Sequence, residues 1–171
     1  IPTEVYDNLI SAVSENMAPL HKYFAIRKRI LKLDKLHIYD TSVPLVKDVQ
    51  WHVGYNDSVQ KIIESLQPLG SSYTAILKKG LMDGRWVDRY ESKGKRSGAY
   101  SSGCYDSNPF ILINYREDNI NSMYTLAHEA GHSMHSFLSR EAQPYIYADY
   151  TIFVAEVAST FNEALLTKYL L

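Results

Sequence analysis

The sequence predicts a mainly α fold with a small β-hairpin, and three observations predict it. Apolar residues recur at helical spacing through most of the chain, residues 97–115 switch to an extended, β-rich composition, and glycine, proline and asparagine punctuate the boundaries. With 171 residues, 46% of them hydrophobic, the chain is long enough for one sizeable core. Its 18 basic and 19 acidic residues are interspersed, leaving no electrostatic footprint for nucleic acid or an anionic membrane surface. No stretch approaches the roughly 20 apolar residues of a membrane span, and the opening residues are no secretory signal. The single cysteine, Cys104, has no partner for an internal disulfide and cannot supply paired thiolates, so we expect a cytoplasmic protein with Cys104 packed as a small buried hydrophobe. The start at Ile1 and a helical pattern still running at Leu170–Leu171 lead us to expect a portion of a longer chain.

From the N-terminus, Thr3 is the expected cap of a first helix with the stripe Val5, Leu9, Ile10 and Val13. Residues 15–19, ending in Pro19, interrupt it, and a second helix follows through Tyr23, Phe24, Ile26, Ile30 and Leu33. Arg27, Lys28, Arg29 and Lys32 read as its solvated basic face. Residues 36–53 loosen, and the isolated His37 and His52 have no partner at metal spacing. A third helix is capped by Asp57 or Ser58, turns Val59, Ile62, Ile63 and Leu66 inward, and ends at Pro68–Gly70. A fourth opens at Ser71–Ser72 with Tyr73, Ile76, Leu77 and Leu81 on its apolar side. Residues 91–98 form a polar, glycine-bearing connection. Ala99–Tyr105 and Phe110–Tyr115 then flank the turn residues Asp106–Pro109, as in a hairpin. The second strand should be buried, and the glycine-flanked first one should lie at the edge, where open backbone groups can pair with an extended peptide.

The spacing that chemistry most readily explains comes next. His128 and His132 are four apart, which on a helix places both imidazoles on one face within reach of a single tetrahedral metal. Glu129 projects about 100° round the helix, toward a water beside the metal rather than the metal itself. This is the His-Glu-x-x-His pattern of zinc peptidases. Met123, Leu126, Ala127, Ala130, Met134 and Phe137 make the segment a half-buried helix, capped by Asn119 or Asn121 and running to about Ser139. Gly131 inside it implies that another backbone approaches closely. His135 lies two turns, about 10 Å, from His128, too far to share its ion, and is expected in a structural or substrate-contact role, the structural one favoured.

A last helix from near Asp149 carries Ile152, Phe153, Val157, Phe161, Leu165 and Leu166. It presents Glu156 as the third metal ligand, leaving a fourth position open for water. Glu163 competes for that place, but Ala155, Ala158 and Ser159 around Glu156 allow the close helix approach that coordination requires. Glu163 or Asp149 would then orient a histidine from behind.

His128–Ser136, Ile152–Glu163 and the upstream run Lys93-Gly-Lys-Arg-Ser-Gly-Ala-Tyr-Ser-Ser-Gly103 together resemble oligoendopeptidase F, of the thimet oligopeptidase-like family of zinc metallopeptidases. The resemblance extends over essentially the whole chain, residues 1–46 included. It implies a zincin-like active-site helix pair within a larger helical clamshell peptidase that encloses a deep channel. It also implies one Zn2+ per chain on His128, His132 and Glu156, with Glu129 as general base. Gly98, Ala99, Tyr100 and Ser101 would match the edge strand along which the family lays substrate backbone. The implied substrate is a short unstructured oligopeptide, hydrolysed by a metal-activated water.

On this reading residues 1–171 form a single partial catalytic domain: a helical scaffold (1–96), the edge strand and hairpin (97–115) and the zinc-binding helix pair (116–171). The tyrosine and histidine expected to steady the oxyanion belong to a segment not present here, so the missing N- and C-terminal parts of the same enzyme are expected partners. The alternative is a catalytically incomplete helical zinc-binding fragment with a structural or binding role.

Overall fold

The computed structural model describes residues 2–46 and 49–171; Ile1, Lys47 and Asp48 lie outside it. The chain divides into two compact units, residues 1–49 and 50–171.

In the first unit, α1 spans Glu4–Glu15 and α2 spans Ala18–Ile30, with a 3-10 turn at Ile38–Ser42. Pro19 sits in the first turn of α2, where its missing N–H costs no helical hydrogen bond, so the break expected at residues 15–19 is a true helix boundary. Thr3 precedes α1 but makes no side-chain cap. Most of the α1 stripe is exposed, Leu9, Ile10 and Val13 among it, with Val5 half-buried. One expectation is corrected. Arg27, read as solvated, is buried, because its guanidinium donates to the Asp40 and Val43 carbonyls and to the Tyr23 hydroxyl. Those acceptors lie up to 16 residues away, beyond the reach of a pattern read on one helix.

The second unit holds α3 (Tyr55–Ser65), α4 (Ser71–Met82), β1 (Val87–Asp88), β2 (Tyr100–Ser102), β3 (Phe110–Leu112), α5 (Ile120–Ala142) and α6 (Ile152–Leu170). The fold is thus mainly α with a small sheet, as expected. Val59 and Ile62 of α3, Leu66 just after it, Leu77 and Leu81 of α4, and Met123, Leu126, Ala130 and Met134 of α5 are buried in one core. Helix α3 starts earlier than expected, with Gly54 at the cap position. Ser58, a candidate cap, instead pairs its hydroxyl with Tyr115 in the interior.

The hairpin forms with Tyr100 opposite Leu112 and Ser101 opposite Ile111, antiparallel. A strand not foreseen, β1, pairs in parallel with β3, Val87 opposite Ile111. The order is therefore β1-β3-β2, with β3 inside and β2 at an edge. Two residues are too few for a period-2 pattern, which is why β1 escaped the sequence. Trp86, which leads into β1, lies against Gly80 so closely that a Cβ there would come within 2.3 Å of its ring. Cys104, in the turn after β2, is exposed rather than buried, because that turn closes through the Ser107 hydroxyl and leaves the thiol outside.

Candidate metal centre and active site

Helix α5 begins at Asn119, whose side chain accepts from the Asn121 N–H, and extends one turn farther than expected, to Ala142. Its inward face buries Met123, Leu126, Ala130 and Met134, which fixes the rotation of the helix and hence the direction of the motif side chains. Helix α6 packs directly on it. A Cβ at Gly131 would lie 2.6 Å from the Ser159 Cα and 2.7 Å from the Ala158 carbonyl oxygen, so only glycine admits this approach. Buried Asn162 of α6 donates from Nδ2 to the Ala127 carbonyl at 3.1 Å and ties the two helices beside the motif. The small residues of α6 therefore serve as the sequence suggested. Its first turn begins at Ile152, after a 3-10 turn at Tyr145–Tyr147, later than the expected start at Asp149.

The two helices bring His128, His132 and Glu156 together. The two Nε2 atoms are 3.1 Å apart, and Glu156 Oε2 lies 3.3 Å from His128 Nε2 and 3.5 Å from His132 Nε2. Ligands held about 2.0–2.1 Å from a tetrahedral zinc lie about 3.3–3.4 Å from one another, so these separations fit such an ion. The donor chemistry agrees, two neutral imidazoles and one carboxylate being a common catalytic zinc set.

Behind them, Glu163 Oε1 accepts from His128 Nδ1 at 2.5 Å. That bond places the ring proton on Nδ1 and leaves the Nε2 lone pair facing the other donors. Glu156 and Glu163, rivals in the sequence, thus occupy opposite edges of one imidazole. Asp149, the other residue considered for the rear position, does not reach a motif histidine. It is exposed and lines a separate cavity of about 480 Å³ with Arg140 and Tyr145. The sequence marks Ser159 only by its small size, yet its hydroxyl donates to Glu156 Oε2 at 2.9 Å and holds the carboxylate in place. Nothing in a single sequence distinguishes such a serine from a spacer.

Glu129 is buried, and its Oε2 has no hydrogen-bond partner among the described residues. Burial raises its pKa above the usual carboxylate value; the His128 charge and the Ser101 backbone N–H work the other way, and Glu156 adds to the rise. The affinity for a proton is thereby increased. Burial also lowers the pKa of His132, against the opposing pull of Glu156. A neutral imidazole is the form that can ligate a metal. His135 stacks on Tyr150, with ring centroids 3.7 Å apart and planes 10° apart, which matches the structural role expected for it.

The edge strand meets the motif helix through Ser101, whose hydroxyl lies 2.8 Å from that of fully buried Ser133. Gly98, Ala99, Tyr100 and Ser101 thus run alongside the helix that carries Glu129. Gly98 has φ +91°, in the left-handed region natural to glycine. Tyr100 is half exposed and Ser101 half buried.

A mainly α fold, with a motif helix and a carboxylate-bearing partner helix beside a short edge strand, defines the zincin-like class of helix pair. The particular family follows from comparison with known proteins: the chain belongs to peptidase family M3, matched over residues 1–171. It is 55% identical over 171 residues to oligopeptidase PepF of Bacillus subtilis (strain 168), covering all of this chain and 25% of that protein. An oligoendopeptidase F homolog of Borreliella burgdorferi is 48% identical over the same 171 residues, 29% of its length. A Chlamydophila abortus protein of known crystal structure superposes with a TM-score of 0.83 at 48% identity, over 99% of this chain and 28% of that one. The chain spans under a third of the length of each of these relatives.

Proposed function

We propose that this chain is the zinc-binding portion of a metalloendopeptidase that hydrolyses short unstructured oligopeptides. The observation that carries the reading is the trio of donor atoms at tetrahedral separations with a buried, unpartnered carboxylate oxygen on the neighbouring residue. His128, His132 and Glu156 would hold the ion. When bound, zinc supplies Lewis-acid polarisation of a carbonyl and lowers the pKa of a coordinated water from about 15.7 toward 7.

The chain's own residues supply the rest. Glu129 takes a proton from the attacking water and returns it to the leaving amine, a transfer aided by the raised proton affinity of its buried carboxyl. Glu163 keeps the His128 lone pair turned toward the ion, and Ser159 does the same for the Glu156 carboxylate. The open edge of β2 binds an extended peptide by backbone hydrogen bonds, the mode that suits a substrate without structure of its own. On this reading residues 1–171 act as one partial catalytic domain, completed by further segments of the same polypeptide. The single cysteine and the absence of any helix long and apolar enough to cross a membrane among the described residues accord with a cytoplasmic location.

The test is metal content of the purified chain and of the intact protein, read with hydrolysis of a quenched fluorescent peptide of about ten residues, with and without a chelator. One zinc per chain and chelator-sensitive cleavage by the intact protein are expected. Stoichiometric zinc without cleavage by the intact protein would favour the structural or binding role. No zinc would overturn the reading.

A further inference from the structure

The ammonium of Lys95 is almost wholly removed from water, its side chain 4% exposed. Its Nζ donates to the carbonyls of Ile113 at 2.7 Å, Tyr90 at 2.8 Å and Asp88 at 3.1 Å, and lies 3.3 Å from Asp88 Oδ1. Burying a charge is costly unless its hydrogen bonds are met and a counter-charge is near. Here three protons meet three carbonyls, and a carboxylate balances the charge.

The three carbonyls belong to the end of β1, the residues just after it and the residue after β3. Lys95 itself sits on the connection that leads into β2, between Gly94 (φ +84°) and Gly98 (φ +91°). The next carbonyl, that of Arg96, accepts from Asn114 Nδ2 at 2.9 Å. Ile113 and Asn114 therefore grip Lys95 and Arg96 in turn, four residues before β2 begins at Tyr100.

We propose that Lys95 is a positioning residue: its ammonium is a tethered cation that sets where Gly98–Ser101 joins the sheet edge, and with it where substrate backbone lies relative to Glu129. The proposal rests on reading β2 as the substrate-binding strand. An arginine cannot replace the lysine, since a planar fork does not converge three donors on three carbonyls. Truncation to alanine leaves a cage of oxygens sized for a free primary ammonium.

The experiment compares Lys95→Met, Lys95→Arg and Lys95→Ala with wild type in the intact, zinc-loaded protein. All three should keep full zinc and melt somewhat below wild type as the carbonyls lose their donor, while KM for the decapeptide rises about tenfold and kcat changes by less than about threefold. Added n-propylammonium, which matches the atoms lost from Lys95→Ala, should restore KM in that variant, and tetramethylammonium at equal ionic strength should not. Amide hydrogen exchange at residues 99–102 should quicken in Lys95→Met. Unchanged KM and exchange would overturn the proposal, as would a joint fall in zinc content, melting temperature and kcat, which marks a residue serving the fold alone. If wild type itself fails to cleave the peptide, the peptidase reading falls, and the exchange measurement still decides whether Lys95 orders the strand.

Discussion

Helices α5 and α6 each place a carboxylate at one site, yet the two are held in different ways. The motif face of α5 continues into a fully buried stripe, and Glu129 itself is buried. Only Ser159, Asn162 and Leu166 of α6 are buried, and its carboxylates stay accessible, Glu156 at 56% and Glu163 at 38% of the side chain. What α5 presents is fixed by the core, whereas what α6 presents is fixed by a few polar contacts to α5. Damage at Glu129 or along the buried face of α5 should therefore reach chemistry or folding, and damage on the carboxylate face of α6 should act through metal affinity.

The sharpest way to break that contrast is Glu129→Gln. Turnover should fall about 10²–10⁴-fold with zinc still stoichiometric, as steady-state kinetics and metal analysis would read it. Zinc loss in this variant would mean that Glu129 serves the ion rather than the proton.

Gly131→Ala comes next, because a Cβ there meets backbone of α6 rather than a yielding side chain. We expect a loss of about 1–3 kcal/mol in denaturant unfolding of the metal-free protein, with weaker zinc binding as the helices part. A melting curve like that of wild type would show that the helix contact is looser than described.

On α6, Glu163→Ala should weaken zinc affinity about 10–100-fold while leaving the melting temperature of the metal-free protein unchanged. Competition with a chromophoric chelator measures the first and calorimetry the second. The smallest effect is expected from Ser159→Ala, about 1 kcal/mol or roughly fivefold in zinc affinity, from one lost hydrogen bond to Glu156. Should either α6 variant destabilise the metal-free fold as much as Gly131→Ala does, the distinction between the two helices would disappear.

The same contrast explains what could be read in advance. The candidate metal site was legible because the chemistry proposed for it demands a spacing: two imidazoles on one ion would require four residues of helix, and a third donor from a second helix would require small side chains between them. The core stripes of α3 and α5 were legible through their period. The stripe of α1, equally regular, is mostly exposed in its own unit, so periodicity announced the helix but not what covers it. Arg27, β1 and the Ser101–Ser133 contact were not legible, since each depends on groups that only tertiary folding brings near. Cys104 shows the converse, a residue type that is usually buried left outside by the turn that carries it.

The close contact of Gly131 with Ser159 and the bond from Asn162 to Ala127 have one more consequence. They pin α6 against α5 at two points one turn apart, so neither helix can slide along the other. Glu156 and Glu163 are chemically the same group seven residues apart, about 10.5 Å along the axis. Which of them faces Nε2 of His128 and which faces Nδ1 is decided by that locked alignment alone. The different surroundings of two identical carboxylates are thus written in the placement of a glycine and an asparagine, neither of which belongs to the His128, His132 and Glu156 trio.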